Sequence, residues 1–299
     1  MEQRQPYRHR RLTTSYWPAD TSQPLLDWSL GDALRAAAAD APERWGLVEG
    51  RADPSRSRRW TYAQLLARSE RVAAALLKRF RPGERVGFWA ANEPEWVLAF
   101  YGCALAGIVM VTVNPAYKAG EMRHVLNKSE AAGVFTMDAY RGYDALAAID
   151  SVRGALPNLR EVIRIADFDA VIDSADADTP LPQVAPQDPC VIMFTSGTTG
   201  EQKGAIFHHK GVINMSLFTQ ERGGLAVGGV FINPMPMFHI GALGHAGVRA
   251  VMRRATHVLA AEWDAKLFMS LVAREGGQYS LLVPTMIEAI LAHPEARRL

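Results

Sequence analysis

Between two strongly apolar segments of this sequence lies a run of hydroxyl and glycine residues, followed by a lysine. The run comprises Thr195, Ser196, Gly197, Thr198, Thr199 and Gly200, and the lysine is Lys203. Glycines let the backbone turn and aim its N–H groups at one point, and the hydroxyls add further donors. The lysine adds a positive charge. This combination indicates a loop that binds nucleotide phosphates, where each charge-assisted hydrogen bond contributes about 1.5–3 kcal/mol.

The run differs from the two common nucleotide-binding motifs. The P-loop needs a hydroxyl residue directly after its lysine, whereas Lys203 is followed by Gly204. No Gly-x-Gly-x-x-Gly pattern follows a predicted strand either. On residue types alone, the alternative to phosphate binding is a polar surface turn with an unrelated lysine.

The segments around this loop alternate between helix-like and strand-like patterns. Several strand candidates are apolar on both faces, which is typical of sheets covered by helices on both sides. The strand candidates are RVGFWA, IVMVTVNP, GVFTMDA, EVIRIAD, CVIMFTS, GAIFHH, VFINPMP, THVLA and YSLLVPT. Such alternation predicts an α/β fold with mostly parallel strands.

The helix candidates begin at recognisable positions. Thr61 and Gln64 are spaced as a capping box before a run of apolar residues at helical intervals. Further helices are predicted to begin near Glu93, Lys118, Tyr140, Lys210, Gly241, Asp264 and Thr285. The apolar stretch from Val97 to Val113 is predicted to be a buried helix and a strand divided at Gly107, because a membrane span needs roughly 20 apolar residues.

Composition excludes several functions and locations. The 299 residues are 48% hydrophobic and 21% charged, which suits one large domain or two medium ones. A formal net charge of +2 argues against nucleic acid or an anionic membrane as the main partner. Cys103 and Cys190 are far apart and flanked by apolar residues, so two buried free thiols are predicted. The basic first residues are followed by no signal-peptide core, and we expect a cytoplasmic protein.

The segment TSGTTGxxKG resembles the signature of the adenylate-forming superfamily, which includes acyl-CoA synthetases. The resemblance extends through RWTYAQLLARSERVAAALL, through the segment from Arg81 to Ala131, and through LLVPTMIEAIL, so it covers the chain from about Leu30 onward. The family usually has proline before the lysine, where this sequence has Gln202. That change removes a backbone restriction from the loop. The resemblance assigns Thr195–Gly200 and Lys203 to the β- and γ-phosphates of ATP.

PMPMFHIGAL resembles the acid-binding segment of the same family. By this resemblance the acid pocket comprises Met237, Phe238, His239, Ile240 and Gly241. The apolar side chains would form its walls, Gly241 would leave space for an acyl group, and His239 would lie near the carboxylate. No Asp or Glu occurs between Phe231 and Ala261. Because an unpaired buried ammonium is costly, an acid without an α-amino group is favoured.

The resemblance implies a two-step reaction in which a carboxylate and ATP give acyl-AMP, and coenzyme A then gives acyl-CoA, with Mg²⁺ as the metal. It also implies an N-terminal arm over residues 1–30 and an adenylation domain over residues 31–299. One lobe of that domain is expected at about 75–220, and the other combines 31–74 with 221–299. No metal site is assigned within this chain.

Full-length family members are longer, and their adenine-binding, magnesium-binding, ribose-binding and C-terminal lysine motifs are not found in this sequence. The family's barrel and C-terminal lid are therefore predicted to be lacking, and with them a complete catalytic site. Three possibilities stay open: a fragment of a synthetase, one half of a split enzyme whose partner chain supplies the rest, or a non-catalytic acyl- or protein-binding module.

Overall fold

The computed structural model describes residues 13–16, 24–176, 178–195 and 202–296, apart from the side chains of residues 220–222. Two main β-sheets with helices packed against them make up this part of the chain, and most strand pairs are parallel. The predicted α/β class is confirmed.

Ten α-helices are assigned in the described residues. They are α1 (Leu30–Asp40), α2 (Tyr62–Leu77), α3 (Pro94–Ala106), α4 (Ala119–Lys128), α5 (Ala145–Val152), α6 (Phe168–Asp173), α7 (His209–Gly223), α8 (Val248–Met252), α9 (Ala265–Glu275) and α10 (Pro284–Ala292). A π-helical segment, Gly241–Gly247, leads directly into α8.

Thirteen strands are assigned in the same ranges. They are β1 (Trp45–Gly50), β2 (Arg59–Thr61), β3 (Arg85–Trp89), β4 (Val109–Val113), β5 (Gly133–Thr136), β6 (Ala139–Tyr140), β7 (Tyr143–Asp144), β8 (Glu161–Arg164), β9 (Pro189–Phe194), β10 (Gly204–His208), β11 (Val230–Asn233), β12 (Thr256–Ala260) and β13 (Tyr279–Ser280).

The larger sheet has six strands in the order β10-β9-β4-β3-β5-β8. Its strands are parallel except for the antiparallel pair β9–β10. Every residue of β4 and β5 is buried. This burial explains why both strands read as continuous apolar runs in the sequence.

The smaller sheet has five strands in the order β13-β11-β12-β1-β2. Only β2 is antiparallel, to its neighbour β1. The sheet combines residues 45–61 with residues 230–280, which are far apart in the chain. The sequence analysis missed β1 and β2, because β1 contains two glycines and a buried glutamate, Glu49.

Several predictions from local sequence signals are confirmed. Thr61 and Gln64 form the predicted capping box at the start of α2. The stretch from Val97 to Val113 divides into α3 and β4 at Gly107, whose positive φ of 66° ends the helix. Among the described residues, no helix combines the length and the apolar character needed to cross a membrane. Cys103 and Cys190 are buried free thiols, as predicted.

The predicted helix start near Tyr140 was wrong. Residues 139–144 form the small hairpin of β6 and β7 instead, and α5 begins only at Ala145. Arg141 and Gly142 both have positive φ, which builds the tight turn between the two strands. The side chain of Asp144 then accepts a hydrogen bond from the Ala147 N–H and caps the helix.

Candidate functional site

A cleft of about 460 Å³ lies where β4 and β9 of the six-stranded sheet reach their carboxyl ends. It brings together the described ends of the predicted phosphate loop and the predicted acid segment. Its walls include Asn114, Tyr117, Met193, Phe194, Thr195, Gln202, Ala205, Phe207, Phe238, His239 and Ile240. The carboxyl edge of a parallel sheet is the usual position of a ligand site in open α/β folds.

The predicted phosphate loop leaves the sheet at Thr195 and returns before Gly204. The Thr195 N–H donates to the Lys203 carbonyl oxygen at 2.9 Å, directly beyond the last β9–β10 pair of Phe194 and Gly204. Lys203 is exposed. The other predicted phosphate ligands, Ser196, Gly197, Thr198, Thr199 and Gly200, lie outside the described residues. The structure therefore describes both ends of the loop and leaves the phosphate assignment a prediction.

Gln202 makes two contacts with residues outside the loop. Its side-chain Nε2 donates to the Tyr117 hydroxyl oxygen at 2.9 Å. Its carbonyl oxygen lies 3.1 Å from Nε2 of His124 in α4. Because a carbonyl only accepts, His124 must carry a proton on Nε2. Gln202 is thus tethered by its side chain and by its backbone.

Phe238, His239 and Ile240 of the predicted acid segment line the cleft. The rings of Phe238 and His239 lie against each other, with centroids 4.3 Å apart. The His239 side chain is exposed at the cleft, yet partial burial by the surrounding protein lowers its pKa. A neutral imidazole at this position can donate or accept one hydrogen bond, which suits a carboxylate or an acyl phosphate oxygen.

The structure places the two ends of the acid segment differently from its middle. Met237 is buried, its N–H donates to Asn92 Oδ1 at 2.9 Å, and its sulfur lies 3.6 Å from Asn233 Nδ2. Met237 therefore anchors the acid segment to the protein interior. Gly241 begins the π-helical segment, and a Cβ added there would lie 3.5 Å from Leu281 Cδ2. The roles of both residues in acid binding stay predictions.

Asn114 and Tyr117 are cleft residues that the sequence analysis did not identify. Both follow β4 directly, so the usual position of ligands at the carboxyl ends of parallel strands could have found them. The Asn114 side chain accepts from the Ala116 N–H at 2.9 Å, and its carbonyl oxygen accepts from the Trp89 indole and the Tyr117 N–H, each at 3.0 Å. This turn holds Tyr117 at a defined position.

A second cleft of about 660 Å³ shares Asn114 and Phe238 with the first. It lies between the two sheets, because Arg51 and Trp263 on one side follow strands of the smaller sheet and Asn92 follows a strand of the larger one. Among the described residues, no group of three or more His, Cys, Asp or Glu side chains is arranged to hold a metal ion.

His208 ends β10 and His209 follows it, but the two side chains do not share a site. The His208 side chain accepts from the Gly211 N–H and caps α7, whereas His209 is buried and its Nδ1 accepts from the Leu30 N–H at 3.2 Å. Burial lowers the pKa of His209 to about 4, against a smaller opposite effect of Asp188 and Asp32. Both side chains therefore organise the backbone beyond the loop.

The family model of the AMP-binding enzymes matches residues 34–299. The chain belongs to this family, and it corresponds to the N-terminal portion of its acyl-CoA ligase members. The acyl-CoA ligase homologues support ATP-dependent activation of a carboxylic acid as the activity of the family.

Similar proteins include the mitochondrial medium-chain acyl-CoA ligase ACSF2 of Macaca fascicularis, 31% identical over 94% of this chain, and its human counterpart, 30% identical over 94%. The chain spans about half the length of these curated relatives, 50% in each case. Among solved structures, the inhibitor-bound N-terminal domain of FACL13 from Mycobacterium tuberculosis is 28% identical with a TM-score of 0.81, and the alignment covers 91% of this chain and 67% of that one.

Proposed function

We propose that this chain binds the phosphates of ATP and a carboxylic acid without an α-amino group, as the N-terminal part of an acyl-CoA ligase. The proposal rests on one observation. The walls of the 460 Å³ cleft include both ends of the phosphate loop, Thr195 and Gln202, and three residues of the acid segment, Phe238, His239 and Ile240. A carboxylate bound beside His239 would lie next to the phosphate loop. That proximity is what formation of an acyl-AMP requires.

The walls of the cleft support an apolar acid. Met193, Phe194, Phe207, Phe238 and Ile240 supply apolar surface, and no Asp or Glu is among the described wall residues. An ammonium group would find no carboxylate there to replace its lost hydration. The name of the ACSF2 relatives points the same way, since they are medium-chain acyl-CoA ligases. An aliphatic acid is therefore the proposed substrate class.

The proposed reaction has two steps. The carboxylate attacks the α-phosphorus of ATP, which gives acyl-AMP and releases pyrophosphate, and the thiolate of coenzyme A then attacks the acyl carbon and releases AMP. In this scheme Lys203 and the Thr195–Gly200 loop offset the charge of the β- and γ-phosphates. His239 orients the acid. Mg²⁺, when bound to ATP, would further neutralise the triphosphate.

We further propose that these 299 residues alone do not convert the acid to acyl-CoA. Acyl-CoA formation would need the polypeptide that matches the other half of the relatives, in the same chain or in a partner chain. The loss of several groups that stabilise the transition state costs far more than the roughly 10²–10³-fold loss expected for one of them. The cytoplasmic location stays a prediction, since the ACSF2 relatives are named mitochondrial.

The phosphate assignment is tested by Lys203→Ala. We expect ATP affinity to fall by about ten- to a hundredfold, the equivalent of one lost charge-assisted hydrogen bond, with an unchanged circular dichroism spectrum. Equilibrium dialysis with ATP measures the affinity. Lys266→Ala is the matched control, because Lys266 is exposed and contacts Glu295, far along the chain from the loop. Equal ATP affinity in both variants would exclude Lys203 as a phosphate ligand.

The same dialysis with a medium-chain fatty acid separates the proposed function from its alternative. A non-catalytic acyl-binding module would bind the acid without any effect of ATP or Lys203. The catalytic assignment also predicts ATP–pyrophosphate exchange when the polypeptide matching the other half of the relatives is supplied, and none without it. Robust exchange by the isolated chain would show that the remaining half is dispensable.

A further inference from the structure

The described end of the phosphate loop is held by few backbone hydrogen bonds. Beyond the β9–β10 pair of Phe194 and Gly204, the bond from the Thr195 N–H to the Lys203 carbonyl oxygen closes the two sides. Lys203, the residue whose charge the proposed function needs, is one position before β10 and exposed. A long exposed side chain loses about 1.5–2 kcal/mol of conformational entropy when it is fixed. Its backbone should therefore be well positioned before the ligand binds.

Gln202 supplies that positioning through the two contacts described above. Its Nε2 donates to the Tyr117 hydroxyl at 2.9 Å, and its carbonyl accepts from His124 Nε2 at 3.1 Å. The two partners lie 85 and 78 positions earlier in the chain, so neither contact is a consequence of local structure. Because one contact involves the side chain and the other involves the backbone, the two contacts together restrict the position of residue 202.

The two partners are themselves firmly held. Tyr117 ends a turn anchored to β3 through the bond from the Trp89 indole to the Asn114 carbonyl. His124 is in the second turn of α4, and its ring meets the edge of Phe194 at a centroid distance of 6.1 Å. The start of α4 is fixed in turn by the hydrogen bond from the Ala119 N–H to the Tyr143 hydroxyl at 3.0 Å. The tethers therefore connect the loop end to the turn after β4 and to α4.

We infer that Tyr117 and His124 are positioning residues that hold Gln202, and through it Lys203, at the nucleotide side of the cleft. The inference rests on the proposed function, because it gives Tyr117 and His124 a role in binding ATP. It also explains how this chain tolerates glutamine at position 202. A side-chain tether to Tyr117 replaces the backbone restriction that proline would impose there.

The test is a double-mutant cycle on Tyr117 and Gln202 in the full chain, with ATP as the probe. Tyr117→Phe and Gln202→Leu each remove one partner of a neutral hydrogen bond, so each should weaken ATP binding by about two- to tenfold. The double variant should be no weaker than either single variant, because the same bond is lost in all three. Tyr279→Phe is the matched control, since Tyr279 lies in β13 at the edge of the five-stranded sheet, lines neither cleft, and should leave the affinity unchanged.

Gln202→Pro provides the rescue. In that background the tether to residue 117 no longer exists, and the proline ring restricts the backbone by itself, so Tyr117→Phe should then have no effect on ATP affinity. His124→Phe, which keeps an aromatic ring against Phe194 but removes the donor, should still weaken binding, because proline retains the carbonyl that His124 contacts. A merely structural role of Tyr117 would instead lower the affinity equally in both backgrounds, and that result would overturn the inference.

Hydrogen exchange at the Thr195 amide gives a second measurement that needs no ATP. This amide is protected by the Lys203 carbonyl, so loosening residue 202 should raise its exchange rate by about two- to tenfold in Tyr117→Phe and not in Tyr279→Phe. If the unaltered chain failed to bind ATP, the proposed function would be wrong, and the Thr195 exchange rates alone would decide whether the tether exists. Identical Thr195 exchange in Tyr117→Phe and the unaltered chain would refute it.

Discussion

The two main sheets differ in how the chain builds them. The six-stranded sheet takes its strands from the continuous stretch of residues 85–208, whereas the five-stranded sheet joins residues 45–61 to residues 230–280. In the first, strands and crossover helices follow one another, and the apolar pattern predicted most elements, although it missed α6 and the β6–β7 hairpin. In the second, β1 and β2 were missed. A sheet assembled from distant segments thus depends on contacts that the local sequence pattern does not reveal.

The contacts that join the two regions are partly ionic. Glu49 of β1 is buried, and its carboxylate accepts from the Arg58 Nε at 2.8 Å and from the Arg51 Nε at 2.8 Å. The Arg58 Nη1 also donates to buried Glu95 in α3 at 2.6 Å. Arg58 therefore links the smaller sheet to a crossover helix of the larger one. Burial by itself would raise the pKa of Glu49, but the two arginines outweigh it and lower the pKa.

The largest expected effect comes from removing this link. Arg58→Met leaves Glu95 without its bonds to Arg58 and takes one of two arginines from Glu49. We expect a loss of about 3 kcal/mol in the free energy of unfolding, the lower end of the range for broken buried pairs because Arg58 is partly exposed. Urea denaturation followed by circular dichroism measures it. Arg56→Met, in the same loop and exposed, should change the free energy by less than about 0.5 kcal/mol. Equal losses would show that the ionic link is dispensable.

An intermediate loss of stability is expected where α2 and α3 approach each other closely, in the region of the larger sheet. Gly102 of α3 faces α2, and a Cβ added there would lie 2.4 Å from Val72 Cγ1. Gly102→Ala should lower the free energy of unfolding by about 2 kcal/mol through overpacking. Combining it with Val72→Ala should cost less than the two separate losses added together, since the contact with Cγ1 is then removed and only the 2.7 Å contact with Val72 Cβ remains.

Gly120→Ala is the control for this packing prediction. Gly120 is in α4, and an added Cβ would meet no atom within 4 Å. Alanine favours a helix over glycine by up to about 1 kcal/mol, so the variant should be as stable as the unaltered chain or slightly more so. If Gly102→Ala behaved in the same way, close approach of α2 and α3 would not limit stability.

The last effect concerns pH, applies to both regions, and is the smallest when counted per histidine and per pH unit. Burial lowers the pKa of His257 in β12 from 6.5 to about 4, and the pKa of His209 next to β10 falls to a similar value. Each is neutral when folded, and the unfolded chain takes up a proton below about pH 6.5. Stability should therefore be complete above that pH and decrease as the pH falls toward 4, by up to about 1.4 kcal/mol per pH unit for each histidine.

Urea denaturation at several pH values measures this slope in the unaltered chain, in His257→Gln and in His209→Gln. Glutamine does not titrate, and at position 257 it can still accept from the Asn233 amide, which lies 3.0 Å from His257 Nε2. Each variant should lose its own share of the slope. A slope that is unchanged in both variants would mean that other groups govern the decrease between pH 6.5 and 4.

The sequence predicted the elements better than their contacts. The capping box at Thr61 and Gln64 and the division at Gly107 depend on neighbouring residues, so they could be identified locally. The hairpin at Tyr140 was mistaken for a helix. Its turn depends on the positive φ of Arg141, a residue that gives no turn signal, and of Gly142, whose turn signal the sequence analysis did not use. In the candidate site, Phe238, His239 and Ile240 line the cleft, and their role in acid binding stays a prediction. The sequence analysis did not identify Tyr117, which reaches the cleft because β4 pairs with β9.

The sequence by itself determined the family and the α/β class, because each is a pattern of residue types along the chain. It also predicts the chemistry of the loop before Lys203. Only the tertiary structure decided which side chains meet. The tether between Tyr117 and Gln202, the link from Glu49 through Arg58 to Glu95, and the pairing of β1 with β12 all join residues that are distant in the chain. Such contacts are set by how helices and sheets pack together, and local propensity contains no information about that packing.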